Sequence, residues 1–161
     1  MELITARAMD VLAAGPEDVY ATIADYHQGH PSILPKENLY DLRVEQGGYG
    51  AGTIIRFKAR ILGIEQAFHH RVSEPEPGRV LVEQDIEEGQ NITTTFTVTP
   101  LEGGKKSQVE IKTTMKPSPG LKGLVERLLV PRSNVPIYRK ELKLLETVAQ
   151  QRSAQIMSEQ R

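Results

Sequence analysis

The sequence predicts an α+β domain in which one antiparallel sheet is covered on a single face by a long C-terminal helix. Three observations predict it. Between Asn38 and Met115, apolar and polar residues alternate in short runs separated by turn residues, which is strand periodicity. From Ser118 to about Arg152, the apolar positions Leu121, Leu124, Leu128, Val135, Tyr138, Leu142, Leu145 and Ala149 recur in steps of three and four, with Pro131 in the one gap. No other stretch is a long helix, so the apolar side of this one must bury against the sheet.

The elements follow in chain order. Glu2–Ala14 has strand character, with an alternation too poor to assign its faces. Gly15-Pro16-Glu17-Asp18 is a helix start: proline fits the first turn, and two acids face the positive helix end. Val19, Ile23 and Tyr20 form its buried side. Gly29, Pro31 and Pro35 interrupt Asp25–Pro35, leaving a short second helical piece around Tyr26–His30.

Tyr40–Gln46 reads as a strand with Leu42 and Val44 on one face, and Gly47–Gly52 as a turn. In Thr53–Leu62, Ile55, Phe57, Ala59 and Ile61 oppose Arg56, Lys58 and Arg60. After a tight turn at Gly63, Ile64–Ser73 places Ile64, Gln66, Phe68, His70 and Val72 on one face. Glu74–Gly78 reads as a loop. The inward face of Val80–Ile86 stays open; Leu81 inward would bring Glu83 and Asp85 with it. Ile92, Thr94, Phe96 and Val98 oppose a row of threonines, and Val109, Ile111, Thr113 and Met115 close the series. Short connections make the sheet antiparallel, and one apolar face per strand leaves its other side in water.

Ser118 and Pro119 read as cap and first position of the final helix. Pro131 and Pro136 each remove a backbone donor, which predicts a short leading helix, a kink near Pro131–Asn134 and a longer helix from about Val135. Lys122, Glu126, Arg139, Lys143 and Glu146 fall off the stripe and are expected in water. The chain reads as one domain over residues 1–161, with a polar tail from about 153 that frays.

Composition sets bounds on function. Of 161 residues, 39% are apolar and 25% charged, an ordinary balance for a single globular domain. The net charge of -1 argues against a nucleic-acid partner held by phosphate neutralisation. Without cysteine there is no disulfide, thiolate nucleophile or sulfur-ligated metal. No run is long and apolar enough for stable membrane insertion, and a cytoplasmic location is the expectation.

An order of one strand, two short helices, six strands and a long helix resembles the START-like, or Bet v 1-like (SRPBCC), superfamily, whose helix-grip fold bends the sheet around the last helix. The resemblance spans nearly the whole chain. It is carried by Pro16-Glu17-Asp18-Val19-Tyr20, Asp25, the Gly47–Thr53 turn and Val72-Ser73-Glu74-Pro75-Glu76-Pro77-Gly78-Arg79. Among its groups the sequence is most similar to the bacterial polyketide cyclase/dehydrase and lipid-transport proteins. These motifs are structural and carry no catalytic signature. The resemblance implies a cavity for an apolar molecule between sheet and helix.

Several residues could carry chemistry. The Gly47–Gly52 turn is followed by a strand, whereas a phosphate loop needs a helix behind it, and no cofactor is expected. His27 and His30 have ligand spacing but no clear third ligand, so no metal is expected. His70 shares parity with Phe68 and Val72 and points to the covered face, where a polar group needs a partner or a purpose. His69 points to solvent. Phe57, Ala59, Phe68, His70, Phe96, Tyr138 and Leu142 are the candidate cavity residues, with His70 the candidate catalytic group. Hydroxyls of Tyr20, Tyr26 and Tyr138 could also reach it. Tyr26–Pro35 has few periodic apolar contacts and is the candidate gate, with Tyr26 and His30 as its side chains.

Three functions remain open at this point. The first is binding of a hydrophobic small molecule such as a lipid, isoprenoid or aromatic polyketide. The second is a cyclase or dehydratase in which His70 or a tyrosine moves protons. The third is a protein-interaction module without ligand. The sequence leaves the oligomeric state open.

Overall fold

A computed structural model describes residues 2–161. Strand β1 (Ile4–Leu12) leads to helices α1 (Pro16–Ala24) and α2 (Gly29–Ile33). Six strands follow: β2 (Leu39–Gln46), β3 (Ile54–Ile61), β4 (Ile64–Glu76), β5 (Val80–Asp85), β6 (Thr93–Leu101) and β7 (Lys106–Met115). Helix α3 (Leu121–Glu159) ends the chain. The strands form one sheet in the order β1-β7-β6-β5-β4-β3-β2, with every neighbouring pair antiparallel. This is the α+β helix-grip arrangement: three helices on one face of a curved sheet.

The alternation read from the sequence sets the faces. Ile55, Ala59, Val72, Phe96, Val98, Val109, Ile111 and Met115 are buried under the helices. Ile4, Ala6, Ala8 and Leu12 resolve the ambiguous first strand, which pairs with β7 and closes one edge. In β5, Leu81 is buried, and parity carries Glu83 and Asp85 to the same side. Strand β4 runs on to Glu76, so the predicted loop shrinks to the turn at Pro77–Arg79.

Gly15 and Pro16 start α1 as the sequence indicates, and Val19, Tyr20 and Ile23 are buried. The Gly47–Gly52 turn joins β2 to β3 and holds the end of α1: the Tyr26 N–H donates to Gly48 O at 2.8 Å, and the Gly50 N–H to Ala24 O at 2.9 Å. Gly48 sits at φ 140°, a backbone conformation that favours glycine, and a Cβ there would also push aside the His27 ring.

Helix α3 departs from the sequence reading in three ways. It starts at Leu121 after Gly120, whose φ of 72° breaks the chain direction, instead of at Ser118-Pro119. Ser118 pairs with Glu126: its N–H and Oγ donate to the carboxylate at 2.7 and 3.0 Å, which takes Glu126 out of bulk water. Pro131 and Pro136 both lie inside one helical span, so the two predicted pieces are a single element. Finally, Leu121, Leu124 and Leu128 are exposed, at 80%, 63% and 53%. The side toward the cavity runs through Val125, Leu129, Ser133, Ile137 and Glu141, one residue after the predicted row at Leu124 and Leu128 and one residue before it at Tyr138 and Leu142. Steps of four advance about 40° each around a helix of 3.6 residues per turn, so the inward row slants as the helix crosses the sheet. Leu142, Leu145 and Ala149 join the core. The tail is helical to Glu159, with side chains exposed from Ala154 onward.

Candidate functional site

Between α3 and the concave face of the sheet lies a cavity of about 440 Å³. Phe57, Ala59, Phe68, His70, Phe96 and Tyr138 all border it. Phe57 and Phe68 stack with centroids 5.1 Å apart, and both rings meet the His70 imidazole edge-on, at 5.1 and 5.7 Å. These three residues come together because β3 and β4 pair Phe57 opposite Phe68 and Ile55 opposite His70. Ile111, Ile92 and Ile137 complete the apolar wall. Burial grades along the cavity: Leu62, Ile64 and Val125 rim it in an exposed position, whereas His30, His70, Glu83 and Glu141 are each at most 5% exposed.

Leu142 is not part of that wall. It lies one residue past the slanted row and packs into the core at 1% exposure. The two side chains of the predicted gate lie inside the protein. Tyr26 is 1% exposed and His30 is 3% exposed; α2 packs against α1 and α3, and the His30 ring meets Phe96 of β6 edge-on at 5.5 Å. Their rings stack 4.4 Å apart, and the Tyr26 hydroxyl donates to Glu83 Oε1 at 2.5 Å.

The deep end is a buried polar cluster. His30 Nδ1 lies 2.8 Å from Ile23 O. A carbonyl only accepts, so that nitrogen carries the proton and donates. His30 Nε2 then faces Glu83 Oε1 at 3.3 Å. His70 Nε2 is 2.9 Å from Asp85 Oδ1, and its Nδ1 is 4.0 Å from Glu83 Oε2, though neither approach has hydrogen-bond alignment. Asp85 also accepts from the Ile92 N–H at 2.8 Å. On the opposite wall, Tyr138 Oη, Thr113 Oγ1 and Thr94 Oγ1 form a chain with spacings of 2.6 and 2.8 Å.

Electrostatics divide these groups. Burial disfavours charge on His70, but Asp85 and Glu83 outweigh it and hold the imidazole at about 9. Burial likewise opposes charge on Glu83, and the His30 and His70 rings overcome it, keeping the carboxyl below its usual range. Asp85 is lowered against its partial burial by His70 and the Ile92 N–H. Glu141 goes the other way: burial and then the nearby Glu83 push it well above the carboxylate range. Burial raises the hydroxyls of Tyr26 and Tyr138. His70 therefore holds its proton at neutral pH, which suits it to donate and makes it a poor base.

The other candidates lie elsewhere. His69 faces outward between Glu87 and Glu45, at 2.6 and 2.8 Å, where the Glu87 contact, opposed by slight burial, helps raise its pKa. His27 packs edge-on against Tyr49, 5.1 Å away, outside the cavity. Tyr20 donates to Glu74 at 2.7 Å and does not reach the cavity. Among the described residues, no three His, Asp or Glu side chains are grouped to hold a metal ion. Glu141 is the buried cavity-lining polar residue that sequence reasoning missed; slanting the helical stripe would have brought it in. No helix among the described residues is long and apolar enough to cross a membrane.

Comparison with known proteins places this architecture. Solved structures similar to the chain include the KanY protein (ms6282), at 26% identity and a TM-score of 0.78, over 93% of this chain and 99% of that one. The Zhui aromatase/cyclase from Streptomyces sp. R1128 superposes with a TM-score of 0.77 at 15% identity, over 94% and 96% of the two chains. A START superfamily protein from Mycobacterium smegmatis does so with a TM-score of 0.69 at 15% identity, over 91% and 97%. At that identity the last two likenesses speak for the fold alone. No curated protein matches the sequence. The family model described as polyketide cyclase / dehydrase and lipid transport matches residues 4–150. The chain belongs to that polyketide cyclase/dehydrase and lipid transport family.

Proposed function

We propose that the protein binds a hydrophobic small molecule, of the size of a lipid tail, isoprenoid or aromatic polyketide, between the sheet and α3. One observation carries this reading: a cavity of about 440 Å³ walled by phenylalanines and isoleucines, with a few buried polar groups gathered at one end. Ligand sites have this size and make-up, with apolar surface giving affinity and a few polar groups fixing orientation. An ordinary core closes up to crystal-like density instead. His70 is the anchor in this reading, a cationic donor facing the apolar space. Extraction of the purified protein with organic solvent, followed by mass spectrometry, is the test. A copurifying apolar molecule near one equivalent, displaced when Phe57 and Phe68 are both changed to Trp, supports it. Protein that binds no apolar probe overturns it.

A second reading, a cyclase or dehydratase, has one specific observation in its favour: the proton kept on His70 by Asp85 and Glu83 beside an apolar space. Such a group can protonate a leaving hydroxyl or an enolate oxygen. With a cyclising polyketone substrate, His70→Asn then abolishes turnover while binding persists; loss of binding with no turnover in the parent favours the first reading.

A further inference from the structure

Glu141 is 3% exposed and lines the deep end of the cavity. It sits where α3 passes from cavity to core: Ile137 and Tyr138 precede it on the wall, and Leu142 and Leu145 follow it into the packed interior. Among the described residues, no side chain or backbone group hydrogen-bonds to its carboxyl beyond the helix, and no cation pairs with it. The titratable groups around it are Glu83 from β5, Tyr26 from the α1–α2 connection and Tyr138 from its own helix. His30 and His70 border the same space, but they are engaged by Glu83 and Asp85.

A carboxyl removed from water, without a cation and with a carboxylate nearby, keeps its proton. In that form it is a hydrogen-bond donor. Neither Glu141 oxygen is among the fully enclosed, partnerless side-chain atoms, so the carboxyl opens onto the cavity, where its donor can meet a bound molecule. Resting on the reading of the cavity as a ligand site, we propose that Glu141 in its acid form donates a hydrogen bond to an acceptor oxygen on the buried end of the ligand. The site then selects apolar molecules that carry a carbonyl at that end, such as a ketone, quinone or ester, over hydrocarbons of the same shape. A neutral acid held in an apolar site in this way acts as a donor without presenting a charge.

The test uses two probes of nearly equal shape, 2-acetylnaphthalene and 2-ethylnaphthalene, titrated into the full chain and followed by naphthalene fluorescence. The readout is the ratio of the two affinities. Glu141→Leu is expected to lower the ketone-to-hydrocarbon ratio about tenfold, the size of one net hydrogen bond. Its binding of the hydrocarbon should persist, which also shows that the variant folds. Glu141→Gln keeps an N–H donor and should hold the ratio within about threefold of the parent. In infrared difference spectra, the protonated-carboxyl band absent from Glu141→Gln should shift when the ketone is added to the parent. A ratio unchanged in Glu141→Leu overturns the role of Glu141 while leaving the ligand cavity standing. If the parent binds neither probe, the ligand reading itself fails, and this inference with it.

Discussion

The hydroxyl of Tyr26 donates a 2.5 Å hydrogen bond to Glu83 Oε1, tying the connection between α1 and α2 to the middle of the sheet. Both side chains are buried, and Glu83 is held ionised by the two histidines around it. Tyr26→Phe removes the donor and leaves the carboxylate short of one partner. The expected loss is about 1–3 kcal/mol, as for a hydrogen bond to a charged buried group. Urea denaturation at neutral pH checks it, and a loss within error of zero would show that Glu83 is satisfied without the tyrosine.

Stability should fall on the alkaline side through His70. Its folded pKa of about 9 lies above the ordinary 6.5, so the folded state holds the proton more tightly. That contribution is complete below about 6.5 and is lost as pH rises through about 9, by about 3 kcal/mol at most. Glu83 and Asp85 act with the opposite sign. They are lowered, so their contribution is complete above their ordinary range and is lost as pH falls toward their folded values. Melting temperatures from pH 5 to 10 should show the alkaline decline in the parent and a flatter one in His70→Asn. Parallel curves would contradict the ion-pair role.

Glu141 gives a gain where most buried-site substitutions give a loss. Its carboxyl is raised far above 4.5, so above that pH the folded protein retains a proton that the unfolded chain releases. Folding is then penalised by up to about 1.4 kcal/mol per pH unit until the folded pKa is reached. Glu141→Gln removes the penalty. Denaturation at pH 4, 6 and 8 should show a stability difference near zero at the lowest pH, widening in favour of the variant as pH rises. A difference independent of pH would mean that Glu141 is solvated in the native protein.

The two ends of α3 should respond in opposite ways. Leu145→Ala opens a cavity in a site with no exposure and is expected to cost about 2–5 kcal/mol. Leu124→Ala, at 63% exposure, should change stability by less than about 0.5 kcal/mol. Equal losses would restore the straight apolar stripe that the sequence suggests.

That contrast shows what the sequence made legible. Period two survives the folding of β3, β6 and β7 because each strand has one wetted face, so Phe57, Phe96 and Ile111 could be placed by parity. It also placed His70 beside Phe68. Parity failed in β5, where Val80, Leu81 and Val82 are all apolar and only the fold chooses Leu81, bringing Glu83 and Asp85 inside. Helical phase held from Tyr138 to Ala149 and failed ahead of it, where Leu121, Leu124 and Leu128 are exposed; it gave no sign that Glu141 also borders the cavity. The contacts of Tyr26 and His30 were not legible because the segment has no apolar periodicity; hydrogen bonds and ring stacking place these two side chains inside.

The pairing of β1 with β7 joins Ile4 to Met115 and leaves most of the chain between two partners. Synthesis runs from the N-terminus, so the first strand leaves the ribosome long before its neighbour exists. During that interval Ile4, Ala6, Ala8 and Leu12 have no sheet to join, and α3, which packs across β1, is made later than β7. The sheet can close only after β7 has been made. Such non-local closure makes folding slow and favours shielding of the nascent chain by chaperones. Ribosome-stalled chains ending before Lys106 should stay protease-sensitive throughout, whereas release of the full chain should protect β1 and β7 together.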